Sequence, residues 1–308
     1  MEKRGITLEI CCGGYADALA AQRGGAQRVE LNSALHLGGL TPSLGALALV
    51  KERTSLKVVA MVRPRGGGFL YDDEEFAQML RDAELLLREG ADGLAFGFLR
   101  VADAVPEQRE ALLGRNIVID LARTRELAQL VHSFGAEKTA VFHRAFDCAS
   151  DLFGSLALLR EAGIDRVLTS GGAATAWEGR EVLRELCAMA AGEGPRRTAE
   201  MQTGARGNDA DGRQDAEQGS AADSRRETGP RPMEILPGCG ISADNAAALL
   251  AATGASQLHS SCRDWRADPT GRGERVSYGF AGAGREELYD AVSEGKVRAL
   301  REAVERFR

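Results

Sequence analysis

Acidic, basic and imidazole side chains stand at the ends of short β-branched runs, where they could move protons beside a bound anion. The candidate catalytic residues are Glu9, Glu30, Arg63, His143 and Asp147. Carboxyl and imidazole groups are the usual general acids and bases, and a guanidinium stabilises negative charge that develops in a reaction. Because no serine stands in a nucleophile motif, these residues favour acid–base chemistry over a Ser-His-Asp triad.

A second group of residues could bind the anion itself. The run Gly238-Cys239-Gly240-Ile241, followed by Ser242, predicts a strand end, a glycine-rich turn and a helix N-cap. The backbone N–H groups of such a turn and the positive end of the helix suit a phosphate or another anion. A tight turn without a ligand is the competing interpretation. The predicted ligand-binding residues are Arg65, Arg144, Ser170, Gly171, Gly238, Gly240, His259 and Ser260.

Six cysteines in 308 residues, with no Cys-x-x-Cys pair, are too sparse for a disulfide scaffold, and we predict reduced thiols. Cys11, Cys239 and Cys262 should approach one sector of a barrel mouth. Soft thiolates there, together with His259, would favour Cu(I). Cysteines that pack as small apolar side chains are the competing interpretation. Cys11 is the candidate metal ligand.

The elements that must position these groups form a repeating pattern. Short β-branched runs alternate with longer helical patterns, which is typical of βα units around a parallel sheet. We therefore predict an α/β protein, a single (β/α)8 TIM-barrel domain over residues 1–308, with Ile117–Asp120 as an excursion between the fourth and fifth strands. The predicted strands are Thr7–Cys12, Arg28–Asn32, Lys57–Arg63, Gly93–Gly97, Thr139–His143, Arg166–Thr169, Met233–Pro237 and Gln257–Ser261. The predicted helices include Tyr15–Arg23, Ser43–Glu52, Asp73–Glu89, Leu152–Ala162, Glu178–Ala190, Ala243–Ala252 and Glu286–Phe307.

Alternation along the first two strands predicts which side chains face the barrel interior. The apolar residues of these strands should face the helices, so Glu9, Cys11, Glu30 and Asn32 should point inward. In this fold, functional groups lie at the C-terminal ends of the strands. The structural alternative is an ion-pair network that fills the barrel, with Glu9 and Glu30 neutralised by Arg63 or Arg144.

Residues 192–232 differ from the rest of the chain in composition. They contain no Val, Ile, Leu, Phe, Tyr, Trp or Cys. Such a segment cannot bury enough apolar surface to offset the entropy of ordering it. We predict a disordered insertion in a surface loop of the one domain, which is tolerable because the entropy of loop closure rises slowly with length.

Charge and hydropathy exclude several classes of protein. A formal net charge of -6 and a pI near 5.5 give no long-range attraction to nucleic-acid phosphates, so we expect no nucleic-acid partner. Nothing approaches 18 consecutive apolar residues, and Glu9 interrupts the apolar run near the N-terminus before it could serve as a signal-peptide core. We therefore expect no membrane association and a cytoplasmic location.

Several short sequence motifs follow one another between residue 8 and about residue 262. They are Leu8-Glu9-Ile10-Cys11, Arg28-Val29-Glu30-Leu31, Gly38-Gly39-Leu40-Thr41-Pro42-Ser43, Arg63-Pro64-Arg65-Gly66-Gly67, Phe142-His143-Arg144-Ala145-Phe146-Asp147, Val167-Leu168-Thr169-Ser170-Gly171 and His259-Ser260-Ser261. In these motifs and their order, the chain resembles the copper homeostasis protein CutC family.

The resemblance implies a cytoplasmic (β/α)8 barrel that forms a homo-oligomer, a dimer or tetramer, and that binds Cu(I) through cysteine in copper tolerance. Cys11 matches the family's strand-one cysteine. A second proposed ligand, the cysteine at the end of strand two, is replaced here by Asn32. The arginines, His143, Asp147 and the two glutamates stand at matching positions.

Two functions of different classes follow. The first is Cu(I) binding in copper homeostasis, with the copper ion as partner. The alternative is an uncharacterised enzyme that acts on a small anionic or phosphorylated substrate at the barrel mouth. A scaffold with neither function would respond neither to a Cu(I) titration nor to a screen of anions.

Overall fold

A computed structural model describes residues 5–102, 116–192, 233–280, 282 and 284–307. Apart from Gly192, the predicted disordered insertion at 192–232 lies outside the described residues. The strands of the described residues are, in chain order, β1 (Thr7–Cys12), β2 (Arg28–Leu31), β3 (Lys57–Met61), β4 (Gly93–Phe96), β5 (Leu99–Val101), β6 (Ile117–Ile119), β7 (Thr139–Phe142), β8 (Arg166–Thr169), β9 (Glu234–Pro237), β10 (Gln257–Ser260), β11 (Arg263–Ala267) and β12 (Leu288–Val292). The helices are α1 (Tyr15–Arg23), α2 (Leu44–Arg53), α3 (Asp73–Arg88), α4 (Leu121–Ser133), α5 (Leu152–Glu161), α6 (Arg180–Ala190), α7 (Ala246–Thr253) and α8 (Glu294–Arg306).

Eight of these strands form a parallel barrel in the order β10-β1-β2-β3-β4-β7-β8-β9. A parallel bridge between Gly238 and His259 joins its two ends, β9 and β10. With helices between the strands, this is a (β/α)8 TIM barrel, and the predicted fold is confirmed. The eight predicted strands are the eight barrel strands, and their bounds differ by at most two residues.

Two apolar clusters lie on opposite faces of the barrel wall. Leu8 and Ile10 on β1, and Val29 on β2, are fully buried in the large cluster between strands and helices. Burial of each such side chain stabilises the fold by about 1.5–3 kcal/mol. The small cluster consists of Val59, Met61, Ala95 and Val141. It lies beside β3, β4 and β7, whereas β1, β2, β8 and β10 carry buried polar residues, among them Glu9, Glu30, Arg166 and Gln257.

Local signals in the sequence set the ends of α3. Asp72 accepts the N–H of Glu75, and the Glu75 carboxylate accepts the N–H of Asp72, which makes a capping box. Beyond the helix, Gly90 has a φ of 99°. This left-handed conformation favours glycine and turns the chain from α3 into β4.

The C-terminal part of the chain departs from the prediction. The helix predicted over Glu286–Phe307 is wrong in its first part, because Leu288–Val292 pairs antiparallel with β11 and α8 begins only at Glu294. In this β11–β12 hairpin, the backbone hydrogen bonds of each strand are made to a segment about 25 residues away in the chain. The periodicity of a single segment does not reveal such a pairing. The excursion at Ile117–Asp120 is confirmed, since β6 pairs with β5 outside the barrel.

No helix among the described residues is long and apolar enough to cross a membrane.

Candidate functional site

A cavity of about 360 Å³ opens at the C-terminal ends of the barrel strands. Residues at the ends of several barrel strands line it, and so do residues of the β11–β12 hairpin. Four of the predicted catalytic or metal-binding residues line it, namely Cys11, Glu30, Arg63 and His143. Of the predicted ligand-binding residues, Arg144, Gly240, His259 and Ser260 line it.

Below the cavity, side chains from the starts of the strands form a buried polar network. Glu9 forms an ion pair with Arg28, the first residue of β2. Arg28 also donates to Gln257 Oε1 at 2.6 Å. Arg166, at the start of β8, pairs with Glu234 at 2.7 Å. The structural alternative is therefore correct in one respect, because Glu9 is neutralised inside the barrel.

The predicted partners in that network are wrong. Arg63 donates to backbone carbonyls, and Arg144 pairs with Asp147 at 2.8 Å. Glu9 takes its cation from Arg28 because these two residues are register partners on β1 and β2. Within the described residues, Glu30 forms no ion pair with lysine or arginine.

Glu9 connects the network to the cavity above it. Its Oε1 lies 2.8 Å from Nδ1 of His259, the residue opposite it on β10. Burial acts to raise the pKa of Glu9, but Arg28 and His259 outweigh burial and hold that pKa well below its ordinary value. The ionised carboxylate therefore orients the imidazole and leaves Nε2 of His259 for the cavity.

Cys11, Glu30 and His259 bring a thiol sulfur, a carboxylate oxygen and a ring nitrogen within 4.8 Å of one another. We call these three residues the Cys–Glu–His cluster. Cys11 Sγ donates to Glu30 Oε2 at 3.7 Å, and Asn32 Nδ2 donates to the same oxygen at 3.0 Å. Burial raises the pKa of both the Glu30 carboxyl and the Cys11 thiol. A metal ion bound here would displace the thiol proton.

The cluster has the chemistry of a metal site. Thiolate, imidazole and carboxylate are all zinc ligands, and the first two also suit copper. Metal-binding histidines usually donate their other ring N–H to a carboxylate or carbonyl, and Glu9 stands in that position behind His259.

His143 follows β7 and presents a neutral ring to the cavity. Its Nδ1 accepts the N–H of Ala145 at 3.2 Å, which places the ring proton on Nε2. Burial, together with the charge of Arg63, lowers the pKa of His143 to about 3. Nε2 is buried and has no hydrogen-bond partner among the described residues. Near neutral pH, His143 can donate one hydrogen bond into the cavity but cannot serve there as a base.

Arg63 follows β3 and is 6% exposed. Its Nη1 donates to the carbonyls of Leu37 and Gly39, both at 3.1 Å, and its Nη2 donates to Gly67 at 2.6 Å. In the part of the chain that the structure describes, its Nε has no partner. No carboxylate there forms an ion pair with it, so the guanidinium brings a buried positive charge without a protein counterion.

Asp147 anchors the loop after β8 and does not line the cavity. Its carboxylate accepts from the hydroxyl of Thr169, the backbone N–H groups of Ser170 and Gly172, and Nε of Arg144. Arg144 in turn donates to Oγ of Ser170 at 2.9 Å. The geometry assigns Asp147 and Ser170 a positioning role, and it leaves one side of Arg144 at the cavity.

The Asp147→Ala variant is expected to lower the free energy of unfolding by about 2–3 kcal/mol, because several buried donors would lose their acceptor. Urea unfolding measures this loss. Asp151→Ala is the matched control, since Asp151 only caps α5 by accepting the N–H of Gly154, and such a cap contributes about 1 kcal/mol. Equal losses in the two variants would contradict the anchoring role.

Three other predicted ligand-binding residues lie outside the cavity lining. Arg65 forms an ion pair with Glu75 on α3, and its guanidinium carbon lies 5.0 Å from the centre of the Tyr71 ring. Gly171 is left-handed, with a φ of 74°, and carries the chain away from β8. Gly238 forms the bridge that closes the barrel.

The turn after β9 reaches the cavity through Gly240 and Ile241, but the following helix starts later than predicted. Ser242 is not an N-cap, because α7 begins at Ala246 and Asn245 precedes it. The residues between form a turn instead. The positive end of α7 is thus displaced from this turn, and only the turn's backbone remains to attract an anion.

The predicted convergence of three thiols is wrong for one of them. Cys11 and Cys239 both line the cavity, whereas Cys262 is buried and donates to Oγ of Ser260 at 3.5 Å. The side chains that join Cys11 in the described residues are Glu30 and His259. All six cysteines are free.

Several residues of the site are absent from the sequence-based prediction. Arg28 is two residues before Glu30 and therefore shares its inward face, so strand alternation could have identified it. Phe69, Arg263 and Asp290 also line the cavity. They reach it through a loop and the β11–β12 hairpin, for which no local pattern gives the placement.

Comparison with known proteins shows the family of the chain. The model of the CutC family matches residues 6–195 of the chain. The chain belongs to the CutC family. A CutC protein of Treponema denticola is 36% identical over 280 residues, which cover 91% of this chain and 90% of the relative. A CutC protein of Chromobacterium violaceum is 36% identical over 300 residues, which cover 97% and 98%.

The CutC assignment extends to the C-terminal strands through these relatives, because both alignments cover nearly the whole chain. A crystal structure of a CutC protein from Streptococcus agalactiae, named for copper homeostasis, matches with a TM-score of 0.60 at 24% identity. The match covers 83% of this chain and 98% of that one. At this identity the likeness shows the CutC barrel fold alone.

Proposed function

We propose that this CutC protein binds Cu(I) at the mouth of its barrel and acts in copper homeostasis. The observation that carries the proposal is the Cys–Glu–His cluster, a group of three metal-ligating side chains within 4.8 Å of one another. Cys11 Sγ and His259 Nε2 would bind the ion, because thiolate and imidazole suit copper. The Streptococcus agalactiae protein of the same family is also named for copper homeostasis, which supports the proposal.

The residues fit Cu(I) through one thiolate and one imidazole. Asn32 stands where the family resemblance expects a second cysteine, and its Nδ2 donates to Cys11 Sγ at 3.6 Å. An amide nitrogen of this kind does not bind a soft ion. The Glu30 carboxylate is a hard ligand that suits Zn²⁺ better than Cu(I). We therefore expect Cu(I) affinity below that of a two-thiolate site.

Anaerobic Cu(I) titration against a competing chelator tests the proposal. Cys11→Ser is expected to weaken binding at least about 100-fold, because residues that merely orient a ligand already contribute about 10–100-fold. Asn32→Cys is expected to strengthen binding more than about tenfold, since it adds a second thiol beside the first. Glu30→Gln should change Cu(I) affinity little and should weaken Zn²⁺ binding.

Cys148→Ser is the matched control, because Cys148 is an exposed thiol outside the cavity. Binding that is unchanged in Cys11→Ser, or lost equally in Cys148→Ser, would overturn the proposal. Wild-type protein that holds Zn²⁺ more tightly than Cu(I) would overturn the copper role and retain the metal site.

A second function, an enzyme for a small anionic or phosphorylated substrate, draws support from Arg63 and His143. Both residues line the cavity, and each carries a buried N–H group that has no hydrogen-bond partner in the described residues. Such an enzyme needs an anion-binding position, and these two donors would supply one.

The cytoplasmic location and the assembly as a homo-oligomer, a dimer or tetramer, stay predictions. The expected lack of nucleic-acid and membrane partners stays a prediction as well.

A further inference from the structure

Two unpartnered donors flank one aromatic ring on the side of the cavity formed by β3 and β7. The guanidinium carbon of Arg63 lies 5.1 Å from the centre of the Phe69 ring, and the centre of the His143 ring lies 5.0 Å from the same point. Arg63 Nε and His143 Nε2 are both buried without a partner among the described residues. A buried donor left unpaired costs about 1–3 kcal/mol, so two of them at one cavity indicate an acceptor that is not protein.

The charge of Arg63 specifies what that acceptor must be. Arg63 is 6% exposed, its Nη atoms donate to three neutral carbonyls, and the Tyr71 phenol that also interacts with its side chain is uncharged as well. A buried positive charge is costly unless an anion compensates it. His143 adds a donor but no charge, since its pKa is lowered to about 3. On this side of the cavity, one cation and one neutral donor match an acceptor with a single negative charge.

We propose that the cavity binds a small organic monocarboxylate, whose carboxylate oxygens accept from Arg63 Nε and His143 Nε2. This ligand site is independent of the proposed copper ligands, which stand on β1, β2 and β10. Met61, Phe69 and Leu168 give the cavity an apolar part beside the two donors, and this part would hold the body of the acid.

Other acids at the cavity argue against a doubly charged ligand. Glu30 lines one side, and Asp290 of the β11–β12 hairpin adds a carboxylate whose Oδ2 forms an ion pair with Nε of Arg263 at 3.7 Å. A phosphate dianion would bring two negative charges close to Glu30, whereas a monocarboxylate brings one. The volume of about 360 Å³ is at the small end of the range for ligand sites, which favours a small acid.

Thermal-shift and ligand-observed NMR titrations of the full chain, with a metal chelator present, test the proposal. The probes are acetate, pyruvate and benzoate, with acetamide and benzamide as neutral counterparts and inorganic phosphate as the dianion. We expect saturable stabilisation by at least one carboxylate, and none by the amides or by phosphate at equal concentration and ionic strength.

Variants of His143 separate its two ring nitrogens. His143→Asn keeps an acceptor for the N–H of Ala145 but removes the cavity donor, and it should weaken carboxylate binding about tenfold or more. His143→Gln restores a donor near the Nε2 position and should recover part of the affinity. Arg63→Lys should lose binding, whereas Arg65→Lys makes the same change outside the cavity and should retain it.

Three results would overturn the proposal. They are no stabilisation by any carboxylate, which means that water alone fills the site, equal stabilisation by phosphate, and wild-type affinity in His143→Asn. Cys11→Ser should keep carboxylate binding while losing Cu(I), so failure of one site leaves the evidence for the other intact.

Discussion

Replacing Glu9 by alanine is expected to lower the free energy of unfolding by about 3–5 kcal/mol, as removal of one partner from a buried ion pair does. Glu9 is 2% exposed and contacts both Arg28 and His259. Without it, Arg28 keeps a largely buried charge, and Arg166 adds further positive charge nearby. Urea unfolding followed by circular dichroism measures the loss.

Two further variants distinguish this pair from an ordinary surface ion pair. Glu84→Ala removes a carboxylate that pairs with Arg81 and Arg88 on the exposed face of α3, and it should cost less than about 1 kcal/mol. The double variant Glu9→Leu with Arg28→Met removes both buried charges and should recover much of the stability lost in Glu9→Ala. If Glu9→Ala is no less stable than Glu84→Ala, the network does not support the barrel.

Acidification from pH 7 to pH 4 is expected to remove about 3 kcal/mol of stability through His143 alone, at about 1.36 kcal/mol per pKa unit. Burial lowers the folded-state pKa of His143 from 6.5 to about 3. Between these two pH values His143 binds a proton in the unfolded chain but stays neutral in the folded chain, so falling pH favours unfolding. This contribution is absent above about pH 6.5, and the loss grows as the pH falls towards 3.

The measurement compares wild type with His143→Asn in urea unfolding at half-unit steps of pH. Asparagine does not titrate and can still accept the N–H of Ala145, so the variant should lack this one-proton component. The carboxylates titrate in both proteins, and their contribution cancels in the difference. Curves that run parallel between pH 4 and pH 6.5 would show that the ring is not held neutral.

The cavity therefore has two chemically distinct sides. The side of β1, β2 and β10 holds the Cys–Glu–His cluster, and the side of β3 and β7 holds two donors without partners. Glu9 links stability with metal binding, because the carboxylate that neutralises Arg28 also orients His259. A variant of Glu9 should for this reason be tested for folding before its metal affinity is interpreted.

From the sequence alone, the barrel and the inward face of its first two strands could be predicted. Both depend on local patterns, since β-branched runs form strands and alternation separates Glu9, Cys11 and Glu30 from their apolar neighbours. Helix boundaries with clear signals, such as the capping box at Asp72, were equally accessible. Strand patterns also predict that polar groups lie at the barrel mouth, since they locate the C-terminal ends of the strands.

The partners of those groups were decided by the tertiary structure. Strand register brings Arg28, not Arg63, to Glu9, and register depends on pairing between segments far apart in the chain. The loop after β8 wraps around Asp147, which turns a candidate catalytic residue into an anchor. The β11–β12 hairpin brings Asp290 to the cavity through a pairing that no local periodicity encodes. Residue type thus determined which chemistry was present, and non-local packing determined which groups meet.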